Sequence, residues 1–99
     1  MRLKPDEVDA INAAAREAFG PDAVVRLFGS RVDDSKRGGD IDLIVEVEDG
    51  QQDIVHESRF LDALFARIDE RKVDLLFMVR GSPPSAFAQM VAREAVLLS

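Results

Sequence analysis

Two aspartates spaced two apart, Asp40 and Asp42, open an otherwise apolar run that continues Leu43-Ile44-Val45-Glu46-Val47. In an extended chain, residues i and i+2 point to one face with Cα atoms about 6.5–7 Å apart. Carboxylates held that way repel each other unless a cation sits between them, as hard, oxygen-ligated Mg²⁺ does. Aspartate is also depleted from strand interiors, so two of them at the head of a strand need a reason. A third carboxylate, Asp74, interrupts the run Val73-Asp74-Leu75-Leu76-Phe77 in the same way. If these two strands are neighbours, the three carboxylates form a cluster suited to two divalent ions about 3.5–4 Å apart, the arrangement for in-line phosphoryl or nucleotidyl displacement. Taken singly, Asp40 reads equally as a turn residue after Gly38-Gly39, and Asp74 as a solvated charge at a sheet edge.

Gly29-Ser30 shifts that balance. Glycine lets a phosphate approach the backbone, and the serine hydroxyl and the N–H groups after it can donate to that phosphate. A short helix opening at Ser30 would add its dipole to the anion affinity. Arg31, Lys36 and Arg37 flank the same segment. They offer charge for phosphates or, equally, the ordinary solvation of a surface loop.

The elements that must hold these groups follow from periodicity. Pro5 suits the first turn of a helix, with Asp6, Glu7 and Asp9 toward the positive end of its dipole. Val8, Ile11, Ala15 and Phe19 recur at helical spacing until Gly20-Pro21 stops the run. Val24 to Phe28 reads as a strand that ends at Gly29, and Arg31 to Gly39 as a polar loop that opens with a helical turn. Asp40 to Val47 is the second strand, with Ile41, Leu43, Val45 and Val47 on one face. After the turn at Asp49-Gly50 comes an amphipathic helix presenting Phe60, Leu61, Leu64, Phe65 and Ile68. Val73 to Val79 is a third strand. Pro83-Pro84 supply no N–H donors, so Ser82 to Ser85 reads as a helix-starting turn and not a phosphate loop. Ala86 to Leu98 is expected to be a final helix with Phe87, Met90, Val91 and Leu97 inward. The order places the chain in the α/β (α+β) class: a small mixed β-sheet flanked by helices, in one domain over residues 1–99.

Composition narrows the function classes. The 99 residues carry 13 Lys/Arg against 19 Asp/Glu, a net charge of −6 that lacks the basic face of a general nucleic-acid binder. No cysteine is present, which excludes disulfides and thiolate metal sites. No apolar run approaches a membrane span, and no signal peptide is recognisable, so the expected compartment is the cytoplasm. His56, the lone histidine, has no second histidine or cysteine to share a zinc with. Glu46 shares the face of Asp40 and Asp42 but lies farther along, as a solvated strand end.

The ordered set Leu27-Phe28-Gly29-Ser30-Arg31, Gly39-Asp40-Ile41-Asp42-Leu43-Ile44-Val45-Glu46 and Val73-Asp74-Leu75 resembles the polymerase β-type nucleotidyltransferase superfamily. More narrowly, it resembles the minimal nucleotidyltransferases often paired with a small helical HEPN-type protein in toxin–antitoxin systems. The resemblance spans about half the chain, and it implies the polymerase β-like nucleotidyltransferase fold. It assigns Asp40, Asp42 and Asp74 to catalysis and to metal binding, with two Mg²⁺ ions expected. Asp74 would lie nearest the attacking hydroxyl. It assigns Gly29, Ser30 and Arg31 to the triphosphate of the nucleotide substrate, expected to be ATP. Nine residues separate Ser30 from Asp40, one fewer than in many minimal members, and Gly39 stands where Ser or Thr is common. The implied reaction moves AMP to a hydroxyl of a HEPN-type RNase toxin, without direct nucleic-acid binding or a membrane. Two other readings stay open: transfer to a small molecule such as an aminoglycoside, and an antitoxin that acts by occlusion alone.

Overall fold

Pro5 begins the first helix, α1 (Pro5–Phe19). The Lys4 N–H donates to Glu7 Oε1 at 2.9 Å, so the third helical residue caps the helix start. Gly20 closes it with a positive φ of 96°, its N–H donating to the Arg16 carbonyl. The computed structural model describes residues 3–29 and 41–98. Within them the order continues β1 (Val24–Phe28), β2 (Ile41–Val47), α2 (Ile54–Phe65), β3 (Val73–Val79), α3 (Ala86–Glu94) and β4 (Val96–Leu97).

The four strands form one mixed sheet in the order β3-β2-β1-β4. β1 runs antiparallel to both β2 and β4, and β2 runs parallel to β3, as the intervening α2 permits. Side-chain alternation then sorts the sheet into two faces. Val25 and Leu27 of β1, and Ile41, Leu43, Val45 and Val47 of β2, are buried in one cluster with Ile11, Ala14, Ala15 and Phe19 of α1 and Phe60 and Leu64 of α2. Phe19 sits at the centre of this layer, packing against Phe60 and edge-on to Phe77. Glu7, only 7% exposed, is held by Arg71 at 2.9 Å, which ties α1 to the connection leading into β3.

Ile44 is fully buried yet lies outside that cluster, as does Ala88 of α3. Since Ile44 points to the opposite face from Leu43 and Val45, α3 covers part of that second face. Ser85 caps α3 by accepting from the Ala88 N–H at 3.0 Å, as the helix-starting turn predicts.

The C-terminal segment departs from the helix expected over Ala86 to Leu98. The helix stops at Glu94, Ala95 is extended, and Val96–Leu97 pair with β1 as a short strand. The Leu98 N–H continues this pairing onto the Val25 carbonyl at 2.9 Å. The open edge of β1 offers backbone partners to a Val-Leu-Leu tail, and that ladder outweighs one more helical turn. Phe87, Met90 and Leu97, expected inward, are instead 57%, 60% and 57% exposed. The small Ala88 is the α3 residue that faces the sheet. No helix among the described residues is long and apolar enough to cross a membrane.

Candidate active site

The two ladders meeting on β2 determine what can act together. Phe28 at the end of β1 is opposite Asp42, and Asp42 is level with Asp74 on β3. Phe28, Asp42 and Asp74 therefore form a row across three strands, with neighbouring Cα atoms about 5 Å apart. Their sequence neighbours Leu27, Leu43 and Leu75 point into the α1/α2 core, so this row faces the other side of the sheet. Asp42 is half-buried there and Asp74 is exposed. Thirty-two residues apart in sequence, the two carboxylates are immediate neighbours in the fold.

Gly29 follows this row with φ +78°, a conformation that side chains rarely adopt. The constraint is steric as well as torsional. A Cβ built on Gly29 would stand 3.0 Å from Asp42 Cγ and closer still to Oδ2. The volume a side chain would fill is taken by the Asp42 carboxylate, so only glycine at position 29 leaves that carboxylate its place.

Ser30, Arg31 and Asp40, and with them Lys36 and Arg37, lie outside the described residues. Among those described, no group of three metal-ligating side chains occurs. Asp42 and Asp74 supply a pair, and Asp40 precedes β2 directly.

Behind the carboxylate row, the same face carries Arg26, Ile44 and Leu76, then Val24, Glu46 and Met78. Arg26, half-buried and diagonal to Asp42, is a cation on the site's face that motif reading passed over. The parity of β1 against Phe28 was the available signal. Glu46 is not simply solvated: the Arg80 guanidinium stands 3.4 Å from it and 2.8 Å from Glu48, and also bonds the Asp22 carbonyl. The hydrogen bond that Arg80 donates to Glu48, then the charge of Glu46, raises the Arg80 pKa above its ordinary value. No sequence pattern links Arg80 to these partners, because the link is made by the β2–β3 register.

His56 lies away from this face. Its ring bonds Asp53 at 2.7 Å and stacks on Phe19, while its backbone N–H is capped by the same Asp53 oxygen. That backbone bond is the leading cause of the depressed Asp53 pKa, followed by the side-chain bond to His56.

Two carboxylates level on one face of a mixed sheet are hard oxygen donors that can bind a cation. The sequence matches the family model of the nucleotidyltransferase domain over residues 8–96. No curated protein matches the chain. With nearly the whole length matched, the chain belongs to the nucleotidyltransferase domain family.

Proposed function

From that membership the chain is a transferase acting on a nucleoside triphosphate, and we propose that it moves AMP from ATP to a hydroxyl of a protein partner. The observation that carries the reading is the level pairing of Asp42 with Asp74 beside Gly29. Two carboxylates of adjoining strands on one face are a hard oxygen donor set, which fits Mg²⁺ and not a soft metal. Asp42 and Asp74, joined by Asp40, would hold the metal, whose charge when bound offsets that on the attacking and leaving oxygens.

The chain's own groups divide the remaining work. Gly29 leaves the space that the Asp42 carboxylate occupies, and Ser30 and Arg31 bind the triphosphate. Asp74, the more exposed carboxylate, stands where an acceptor can reach it and takes the proton from the acceptor hydroxyl. The oxygen so freed bonds to the α-phosphorus, the bond from that phosphorus to the β-phosphate's bridging oxygen breaks, and pyrophosphate leaves with the electron pair. Among the described residues Asp74 is exposed on this sheet face, where a bulky acceptor can reach it. That favours a macromolecule. By resemblance to minimal antitoxins, the partner is a small HEPN-type RNase and the acceptor a tyrosine hydroxyl.

Label transfer from ATP with Mg²⁺ tests this, with the product of the neighbouring gene as acceptor and the label at the α- or the γ-phosphate. Label should reach the protein from the α-position only and disappear in an Asp40→Ala/Asp42→Ala chain. Transfer from the γ-position would mean a kinase and overturn the reading. Label that reaches only small molecules would move the acceptor to that class. If no label moves while the double variant still neutralises the partner, occlusion is the mechanism.

A further inference from the structure

We infer that β3 is an interface strand, through which two copies of this chain join their sheets edge to edge about a two-fold axis at Leu76. Among the described residues, the sheet ends at β3 on one side and β4 on the other. β4 is blunted by its length of two residues, but β3 offers seven, Val73 to Val79, in unbroken register with β2. Protected edges carry a proline, a lysine, a bulge or a cover. Within β3 there is no proline, no lysine and no bulge, and its single charge, Asp74, sits near one end.

The backbone shows what the edge lacks. The Lys72 carbonyl accepts from Ile41 N and the Arg80 N–H donates to the Val47 carbonyl, so even-numbered residues of this strand turn their backbone groups toward β2. Odd-numbered residues turn theirs outward. Ser82 N satisfies the Val79 carbonyl, while the outward groups of Leu75 and Phe77 meet no partner among the described residues. The side chains on this edge are also incompletely covered. Val73, Leu75, Phe77 and Val79 pack against the core layer but are only partly buried, and Asp74 on the opposite face is exposed.

A second copy of the same strand, run antiparallel, matches this edge. With the axis at Leu76, Leu75 of each copy is opposite Phe77 of the other, and both outward-facing pairs can exchange two hydrogen bonds. Asp74 then meets Met78 and not another carboxylate, and Leu76 meets Leu76. Lys72 comes opposite Arg80, whose guanidinium already carries Glu46 and Glu48, a cluster of net negative charge that suits a lysine. Because the axis is perpendicular to the sheet, both Asp42–Asp74 pairs open on the same side. The two Asp74 residues are then about 14 Å apart along the strand direction.

The test is the mass of the full chain by sedimentation equilibrium at about 100 μM, together with amide exchange. The wild type should have twice the chain mass, and the Leu75 and Phe77 amides should exchange at least tenfold more slowly there than at low micromolar concentration. Leu76→Lys and Leu76→Glu chains should each be monomeric with unchanged circular dichroism, because like charges face each other across the axis. Mixed together, the two should regain the doubled mass. A Met90→Ser chain, altered on exposed α3, should keep it throughout. A monomeric wild type, a Leu76→Lys chain that stays dimeric, or a mixture that fails to associate would overturn the proposal. So would loss of the dimer in Met90→Ser, which would place the interface on α3.

Discussion

Replacing Gly29 with alanine separates what this position does for stability from what it does for chemistry. Holding an L-residue at φ +78° costs roughly 1–2 kcal/mol. That corresponds to a melting-point loss of roughly 4–8 °C for each kcal/mol in a domain of this size. The new Cβ also meets Asp42, with Cγ at 3.0 Å and Oδ2 nearer, where ordinary contact begins at 3.4 Å. The aspartate must yield, because a Cβ is fixed by its own backbone and cannot rotate away while the Asp42 side chain can. A shift of about 1 Å in a group that positions reactants costs on the order of 10²-fold in rate. Gly50→Ala is the matched control: φ there is +97°, but nothing lies within 4 Å of the added Cβ. Both variants should melt several degrees early. Only Gly29→Ala should lose about two orders of magnitude in label transfer from α-labelled ATP. If a folded Gly29→Ala chain transfers as fast as Gly50→Ala, Gly29 does not position the carboxylate and the reasoning fails.

Three further outcomes are expected. Asp74→Asn keeps the shape of an exposed side chain, so its unfolding free energy should stay within about 0.5 kcal/mol of wild type. Its transfer should fall by at least roughly 10²-fold, as expected for loss of a general base; unchanged transfer would exclude Asp74 from the reaction. Arg71→Ala leaves the Glu7 carboxylate buried without its guanidinium and should destabilise by roughly 1–3 kcal/mol in urea unfolding, with no effect on transfer per folded molecule. The Asp53 pKa is depressed in the folded chain, so its contribution is present above the unfolded-state value and is lost as pH falls through the folded one. Melts across acid pH should lose stability less steeply in Asp53→Asn than in wild type, and identical slopes would refute the capping assignment.

Much of the fold was legible because each element carries its own signal. Pro5 and Gly20 mark the ends of α1, the turn from Ser82 to Ser85 opens α3, and alternation from Ile41 to Val47 identifies the core face of β2. The C-terminus misled for a physical reason. Phe87, Met90 and Leu97 sit at helical spacing, but the open edge of β1 competes for Val96 and Leu97, and a competition between a helix and a distant strand is invisible to local periodicity. Arg80 escaped notice on the same ground, since its two carboxylates are 34 and 32 residues away.

The site divides along the same line. Residue type and spacing alone were enough to single out Asp42, Asp74 and Gly29, because aspartates within apolar strands and a glycine at a strand's end are costly or unusual without a purpose. Sequence also carried the family, since the ordered motif set is a property of the chain and not of its coordinates. Only the tertiary structure decided that Asp42 and Asp74 stand level on neighbouring strands, that they face away from the helices, and that Gly29 is needed because Asp42 fills its side-chain volume. Each of these depends on the register between segments far apart in the chain. Register is set by how the whole sheet buries its apolar face, and a shift of one residue would send the aspartates into the core.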